Sequence, residues 1–349
     1  MPINYIHKRK PVICLLLVLY ILIFIQGWTV SPSGITSQPD AASAAVQAMN
    51  PLRIDITGEQ KDYRFIIKTR IENVSMEPLK GSVTWELKPR GMVQTPPQSF
   101  SLASHDIFTT QSSLMAGNKE ARLVATVKLE SGYTKKAGIG LMSIPYRLAS
   151  PKIDGCLKEW IDVPKLFLDG ISLSSESSSS VTESNKTSGI FQFWITEKNF
   201  FIGAAICDKS PLVNPLVDNE INRGDSVELF LGLDGSVNAS ASTGRNFHIG
   251  IAPGNMGRLP RLWNWTSNSS IPGGEIVACR TPDGYVMEAR IPFASLGSWK
   301  PQRNLMIGFN AVLNDLDDQK PDRPLHKLVW NGNAEDRFDP SKWGLAIIW

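Results

Sequence analysis

Polar and apolar residues alternate with a period of two along most of this chain. In the first half the alternation marks strands at 53–56 (RIDI), 63–72 (YRFIIKTRIE), 81–87 (GSVTWEL) and 121–129 (ARLVATVKL). Pro89-Arg90-Gly91 and Ala116-Gly117-Asn118 interrupt the runs as turn signals. Short alternating strands separated by such signals predict an antiparallel sandwich of about 100 residues. A second set follows at 190–196, 200–207, 226–233, 245–251, 275–280, 285–291, 305–313 and 345–349. With turns such as Pro282-Asp283-Gly284 and a lone helical hint at Phe293-Ala294-Ser295-Leu296-Gly297, it predicts a larger sandwich of about 200 residues. Leu148-Ala149-Ser150-Pro151 separates the two blocks as a boundary.

The expected fold is therefore all-β: two antiparallel β-sandwich domains, 52–148 and 152–349, after an N-terminal apolar export segment. The first sandwich reads as immunoglobulin-like, with Trp85 as a core aromatic, and the second is expected to fold without it. The Ser-rich stretch 172–188 reads as a long loop within the second block.

Residues 12–25 (VICLLLVLYILIFI) are uninterruptedly apolar and follow His7-Lys8-Arg9-Lys10. A basic flank ahead of an apolar run is an export signal, and the flank stays on the cytoplasmic side. Residues 1–30 fit both a cleaved signal peptide and a single-pass membrane anchor. The Ser-, Ala-, Pro- and Gln-rich stretch 31–51 fits a flexible stalk. The folded part is expected outside the membrane, anchored and facing outward or secreted or periplasmic.

Composition narrows the chemistry. The chain has 349 residues, 42% hydrophobic and 20% charged, as in a globular protein rather than a disordered or polytopic membrane one. A net charge of +3, part of it in the N-terminal cluster, leaves no basic footprint for nucleic acid. Four histidines, no zinc-like Cys/His spacing and no Gly-rich phosphate loop leave little acid–base or metal repertoire. Cys156, Cys207 and Cys279 are odd in number. Cys207 and Cys279 sit in apolar strands and read as buried small hydrophobes, the alternative being one disulfide plus a free thiol.

Local motifs of the second block, taken in order, resemble family 9 carbohydrate-binding modules, which share a β-sandwich with the wider DOMON-like group. They are Ile153-Asp154-Gly155-Cys156-Leu157-Lys158-Glu159-Trp160, Phe193-Trp194 before Asn199-Phe200-Phe201-Ile202, and Gly224-Asp225-Ser226-Val227-Glu228-Leu229-Phe230-Leu231. Gly284-Tyr285-Val286-Met287-Glu288-Ala289, Ile307-Gly308-Phe309-Asn310 leading to Asn314-Asp315, and Asp339-Pro340-Ser341-Lys342-Trp343-Gly344 complete the series. Trp160, Trp194 and Trp343 read as structural aromatics at strand ends. The resemblance also implies a structural calcium in some members. Asp225 and Asp315 are its candidate ligands, with turn capping as the alternative.

Sugar recognition needs aromatic faces for the ring and fixed polar groups for the hydroxyls. The resemblance implies two clamping tryptophans, an acid, an amide and a basic residue. Glu228 matches the acid and His248 falls at the basic position. Asn222 and Arg337 stand where the clamp would be, and Val312 falls at the amide position. Trp263 and Trp265, in a Pro/Gly/Ser/Asn-rich stretch, together with Trp330, offer substitute aromatic faces. The candidate ligand-binding set is Glu228, Trp263, Trp265, Trp330, His248 and Asn314; no catalytic residue is assigned.

The leading reading is an exported, noncatalytic protein that binds oligo- or polysaccharide and assists its breakdown by other enzymes. One alternative is a surface module that has lost its ligand. Another is a haem-binding sandwich, for which His248 and Met287 are the formal ligand pair. Hydrolysis would need two convergent carboxylates, and the sequence pairs none.

Overall fold

The computed structural model describes residues 50–61, 64–88, 95–114, 120–169, 187–210, 214, 216–233, 245–254, 259–317 and 325–349. The apolar segment 1–30, nearly all of the expected stalk and most of the Ser-rich stretch lie outside the described residues. The rest is β-structure, as the alternation implies. In the N-terminal half the strands are β1 Leu52–Lys61, β2 Arg64–Asn73, β3 Leu79–Lys88, β4 Gln98–Leu102, β5 Ile107–Leu114, β6 Ala121–Leu129 and β7 Thr134–Ile144. Then come β8 Lys165–Asp169, β9 Ser188–Ile195, β10 Asn199–Cys207, β11 Ser226–Gly232, β12 Asn246–Ala252, β13 Arg261–Asn264 and β14 Ser269–Ser270. The last are β15 Glu275–Thr281, β16 Gly284–Pro292, β17 Met306–Asp315, β18 His326–Val329 and β19 Gly344–Ile348. Helical structure among the described residues is confined to short 3₁₀ turns, one of them at Phe293–Ser295 where the sequence hinted at a helix.

Three sheets result. A three-stranded sheet runs β1-β2-β5, a five-stranded sheet β15-β16-β10-β9-β8, and an eleven-stranded sheet β14-β13-β12-β11-β17-β19-β7-β6-β3-β4, with β18 added on β17. The long sheet crosses the expected domain boundary without a break. β19, the last strand of the chain, pairs in parallel with β7, Leu345 beside Leu141 and Ile347 beside Ser143.

This pair is a wall between two cores. Successive side chains on a strand point to opposite faces. Ile139 and Leu141 of β7, Leu345 and Ile347 of β19 and Met306 of β17 accordingly face the N-terminal core with Leu52, Ile67 and Val83. Met142 and Ile144 of β7 and Ala346 and Ile348 of β19 face the larger core with Phe193, Leu229 and Phe309. A strand apolar on both faces shows no alternation, which is why the sequence pattern passes over β7. Residues 139–144 belong to both cores, so the boundary expected at 148–151 separates chain segments rather than hydrophobic cores.

Side-chain bonds tie the N-terminal half to the segments that carry the site. Glu120 accepts from Trp330 Nε1 at 3.0 Å, and Gly140 N–H donates to Asn331 Oδ1 at 2.8 Å. Trp160, Trp194 and Trp343 are buried as expected. Trp85 packs against the N-terminal core and donates to Thr69 Oγ1 at 3.1 Å. The cysteines correct the reading made of them: Cys207 and Cys279 are exposed, Cys156 is half-buried and all three are free. Cys207 ends β10 and Cys279 lies on an edge strand, so an apolar run along the chain did not place these side chains inside.

Candidate functional site

The face of the long sheet that meets the N-terminal core near Met306 and Leu345 continues past that core onto β11, β12 and β18. In register, Phe230 lies opposite Asn310, Glu228 opposite Val312, and Ser226 opposite Asn314. On the other side Phe230 lies opposite His248 and Glu228 opposite Gly250. Asn314 lies opposite Lys327 of β18. These register partners present one face, and the core-facing residues between them, such as Val227 and Leu229, hold the strand from behind.

Glu228 is the centre of this face. Its side chain is 0% exposed. Oε2 lies 2.6 Å from His248 Nε2, and Oε1 accepts from Asn314 Nδ2 at 3.0 Å and from Lys327 Nζ at 3.1 Å. Arg337 Nε lies 4.0 Å from Oε1 and has no hydrogen-bond partner. Lys327 Nζ also donates to Asn314 Oδ1 at 2.5 Å, and Asn314 Nδ2 reaches Ser226 Oγ at 3.1 Å. Burial by itself would raise the carboxyl of Glu228. The bond from His248, the charge of Lys327 and the bond from Asn314 outweigh it and hold the group at about 2. Burial lowers His248 below the ordinary histidine range, against the raising effect of Glu228. The neutral ring therefore carries its proton on Nε2, because a carboxylate can only accept.

Aromatic rings enclose the cluster. The His248 ring is stacked between Phe230, at 4.3 Å and 11°, and Trp265, at 4.1 Å and 23°. Trp265 Nε1 donates to the Asn219 carbonyl at 2.9 Å. The Trp265 ring also lies directly over Gly250, where any side chain would collide with it. Phe338 meets Phe230 and His248 edge-on, and the Arg337 guanidinium lies 4.1 Å from the centre of the Phe338 ring. Arg337 also donates to the Ala334 carbonyl.

The structure gathers Glu228, His248, Asn314 and Trp265 into one cluster and leaves the other candidates out of it. Trp330 is 2% exposed, meets Phe309 edge-on in the larger core and donates to Glu120, so it has no face to offer a ligand. Trp263 is half-buried on β13, opposite Gly250, and lines a cavity of about 240 Å³ with Asp218, Arg261, Leu262 and Ser270. The Pro/Gly/Ser/Asn-rich stretch does have strand neighbours, and they claim part of both tryptophans. Val312 is buried beside Phe230, Val329 and Trp343, so the amide next to the acid comes from Asn314, one register pair further along. Met287 is buried in the larger core, whereas His248 is on the opposite face of its sheet bonded to Glu228. The pair that haem ligation would need is not formed. Sequence reasoning missed Lys327, whose only signal is the short strand ahead of Trp330-Asn331-Gly332.

A second polar group joins Asp208, Asp225 and Asp315. All three are buried, and one oxygen of each lies within 4.8 Å of the others. Asp225 Oδ1 accepts from Leu316 N–H at 2.8 Å and Asp208 Oδ1 from Ser210 N–H at 2.8 Å. Asp315 Oδ2 accepts from Thr187 at 2.7 Å, while Oδ1 has no partner. Burial first, and then the charges of Asp208 and Asp317, push Asp315 up to about 6 against the Thr187 bond. Crowded hard oxygens with one acceptor unsatisfied fit a calcium-sized cation. Asp208, just after β10, is the candidate ligand that the sequence did not point to.

Residues 168–348 match the family model described as carbohydrate family 9 binding domain-like. Among solved structures, two of a family 9 carbohydrate-binding module from Caldicellulosiruptor kristjanssonii, one in complex with cellotriose and one with glucose, are each 22% identical to this chain. The first covers 60% of this chain and 93% of its own, with a TM-score of 0.44; the second covers 59% and 95%, with a TM-score of 0.43. No curated protein matches.

Proposed function

Because the chain belongs to the carbohydrate family 9 binding domain-like family over residues 168–348, we propose that it is a noncatalytic carbohydrate-binding protein. The family match carries this reading, and the Glu228 face supports it. A buried charged cluster is weak as a stabilising device, since well-packed apolar side chains usually do as well. A cluster of polar groups rimmed by aromatic rings is the composition that sugar recognition calls for. Glu228 has both oxygens engaged and stays ionised to about pH 2, which suits a fixed hydrogen-bond centre and not a general acid.

The proposal extends to placement. The basic flank and apolar run at 8–25 support export with the folded part outside the membrane, anchored or released. Strands β1–β7 divide as β1-β2-β5 and β7-β6-β3-β4, three strands facing four, which supports the immunoglobulin-like reading of that half. In this role the protein holds polysaccharide at the cell surface for enzymes that cut it. The test is affinity electrophoresis and titration calorimetry of the full chain against a panel of soluble polysaccharides. Retardation abolished by Trp265→Ala supports the reading. Failure to bind every polysaccharide of the panel, neutral and acidic, refutes it.

A further inference from the structure

We propose that the saccharide taken by this face is anionic, carrying a carboxylate as in a uronic acid, and that Arg337 and Lys327 hold that carboxylate. The inference rests on the carbohydrate-binding reading and adds the class of sugar to it. Four titratable or charged side chains meet here: Glu228 from β11, His248 from β12, Lys327 from β18 and Arg337 from the turn 336–338. Among the described side chains, the ion pairs of Lys327 and Arg337 both go to Glu228. His248 is neutral, so one negative charge faces two positive ones.

Access sharpens the imbalance. The Glu228 side chain is 0% exposed, whereas those of Lys327 and Arg337 each keep 17%. A ligand arriving at this face meets the cations and not the acid beneath them. The acceptors that a neutral sugar would need for its hydroxyl protons are already used: Oε2 by His248, Oε1 by Asn314 and Lys327, and Asn314 Oδ1 by Lys327. Donors remain. Arg337 Nε is buried without a hydrogen-bond partner, 4.0 Å from Glu228 Oε1, and the described contacts of the guanidinium beyond it are one bond to Ala334 and the stacking on Phe338, so the guanidinium is short of acceptors. A guanidinium is a flat fork of donors matched to a carboxylate, and its charge-assisted bonds are about twice as strong as neutral ones. Phe338, 54% exposed beside it, supplies an apolar face for the sugar ring.

The test is titration calorimetry of the full chain at low ionic strength with an oligogalacturonate. Two controls accompany it: the same oligomer with its carboxyl groups reduced to alcohols, and a neutral gluco-oligosaccharide of equal length. The acidic oligomer is expected to bind at least about tenfold more tightly than either control, the advantage shrinking as salt screens it. Arg337→Gln, which keeps a polar side chain but gives up the 4.0 Å ion pair with Glu228, is expected to erase most of that preference while the protein stays folded with a lowered melting temperature. Equal or tighter binding of the neutral oligomers overturns the charge assignment and leaves the carbohydrate reading standing. An acidic preference unchanged in Arg337→Gln and in Lys327→Met overturns the assignment to these residues. No binding of any of the three overturns both readings.

Discussion

Replacing Glu228 by Gln keeps the shape of the side chain and one acceptor for His248 but removes the charge that balances Lys327 and Arg337. The structure sets the scale in two ways. A carboxyl held at about 2 instead of the ordinary 4.5 implies about 3 kcal/mol of preferential stabilisation of the ionised, folded form. Breaking a buried ion pair from one side costs about 3–5 kcal/mol, and the part of Lys327 and Arg337 that still touches water moves the expectation to the lower end. Glu228→Gln should therefore lose about 2–3 kcal/mol in urea unfolding at neutral pH. The pH dependence has a fixed sign. Because the folded-state value lies below the unfolded one, the contribution is fully present above about pH 4.5 and is lost as pH falls towards 2. Parent and variant curves should converge in that window. Adding Lys327→Met to the variant should restore part of the loss, since it removes the orphaned cation. A variant within about 0.5 kcal/mol of the parent at neutral pH, with an unchanged acid limb, would refute the claim that this carboxylate is held by its cations.

Three further outcomes follow from the geometry. Gly250→Val places a branched side chain under the Trp265 ring and against Ile221; it should cost about 1–3 kcal/mol and red-shift tryptophan emission, and an unchanged spectrum and midpoint would count against the packing described. Millimolar calcium should raise the melting temperature of the parent and leave that of Asp208→Asn unmoved; equal responses would remove Asp208 from the site. The fragment 152–349 lacks β7 and so loses Met142 and Ile144 from its core and the parallel partner of β19. It should unfold at lower denaturant than the full chain or aggregate through the freed strand edge, and a midpoint equal to the parent's would show that the shared wall is dispensable.

What the sequence by itself determined is local. Period-two alternation locates the strands that have one wet face, such as β2, β3 and β6, because each residue's polarity there reports the side it faces. The ordered motifs from Ile153 to Gly344 point to the family, and Glu228 stands out in one of them because a carboxylate in an apolar strand needs partners. The tertiary structure decided the rest. β7 and the use of β19 as a wall between two cores leave no alternation to read, since both faces of those strands are buried. The partners of Glu228 lie 20 residues away at His248, 86 at Asn314 and 99 at Lys327, so only sheet register brings them within hydrogen-bond reach. Trp330 and Trp265 look alike as tryptophans beside asparagine in turn-rich sequence. One points into the larger core and the other lies over Gly250 on the opposite face, and that choice of side is made by strand pairing, which no single stretch of the chain contains.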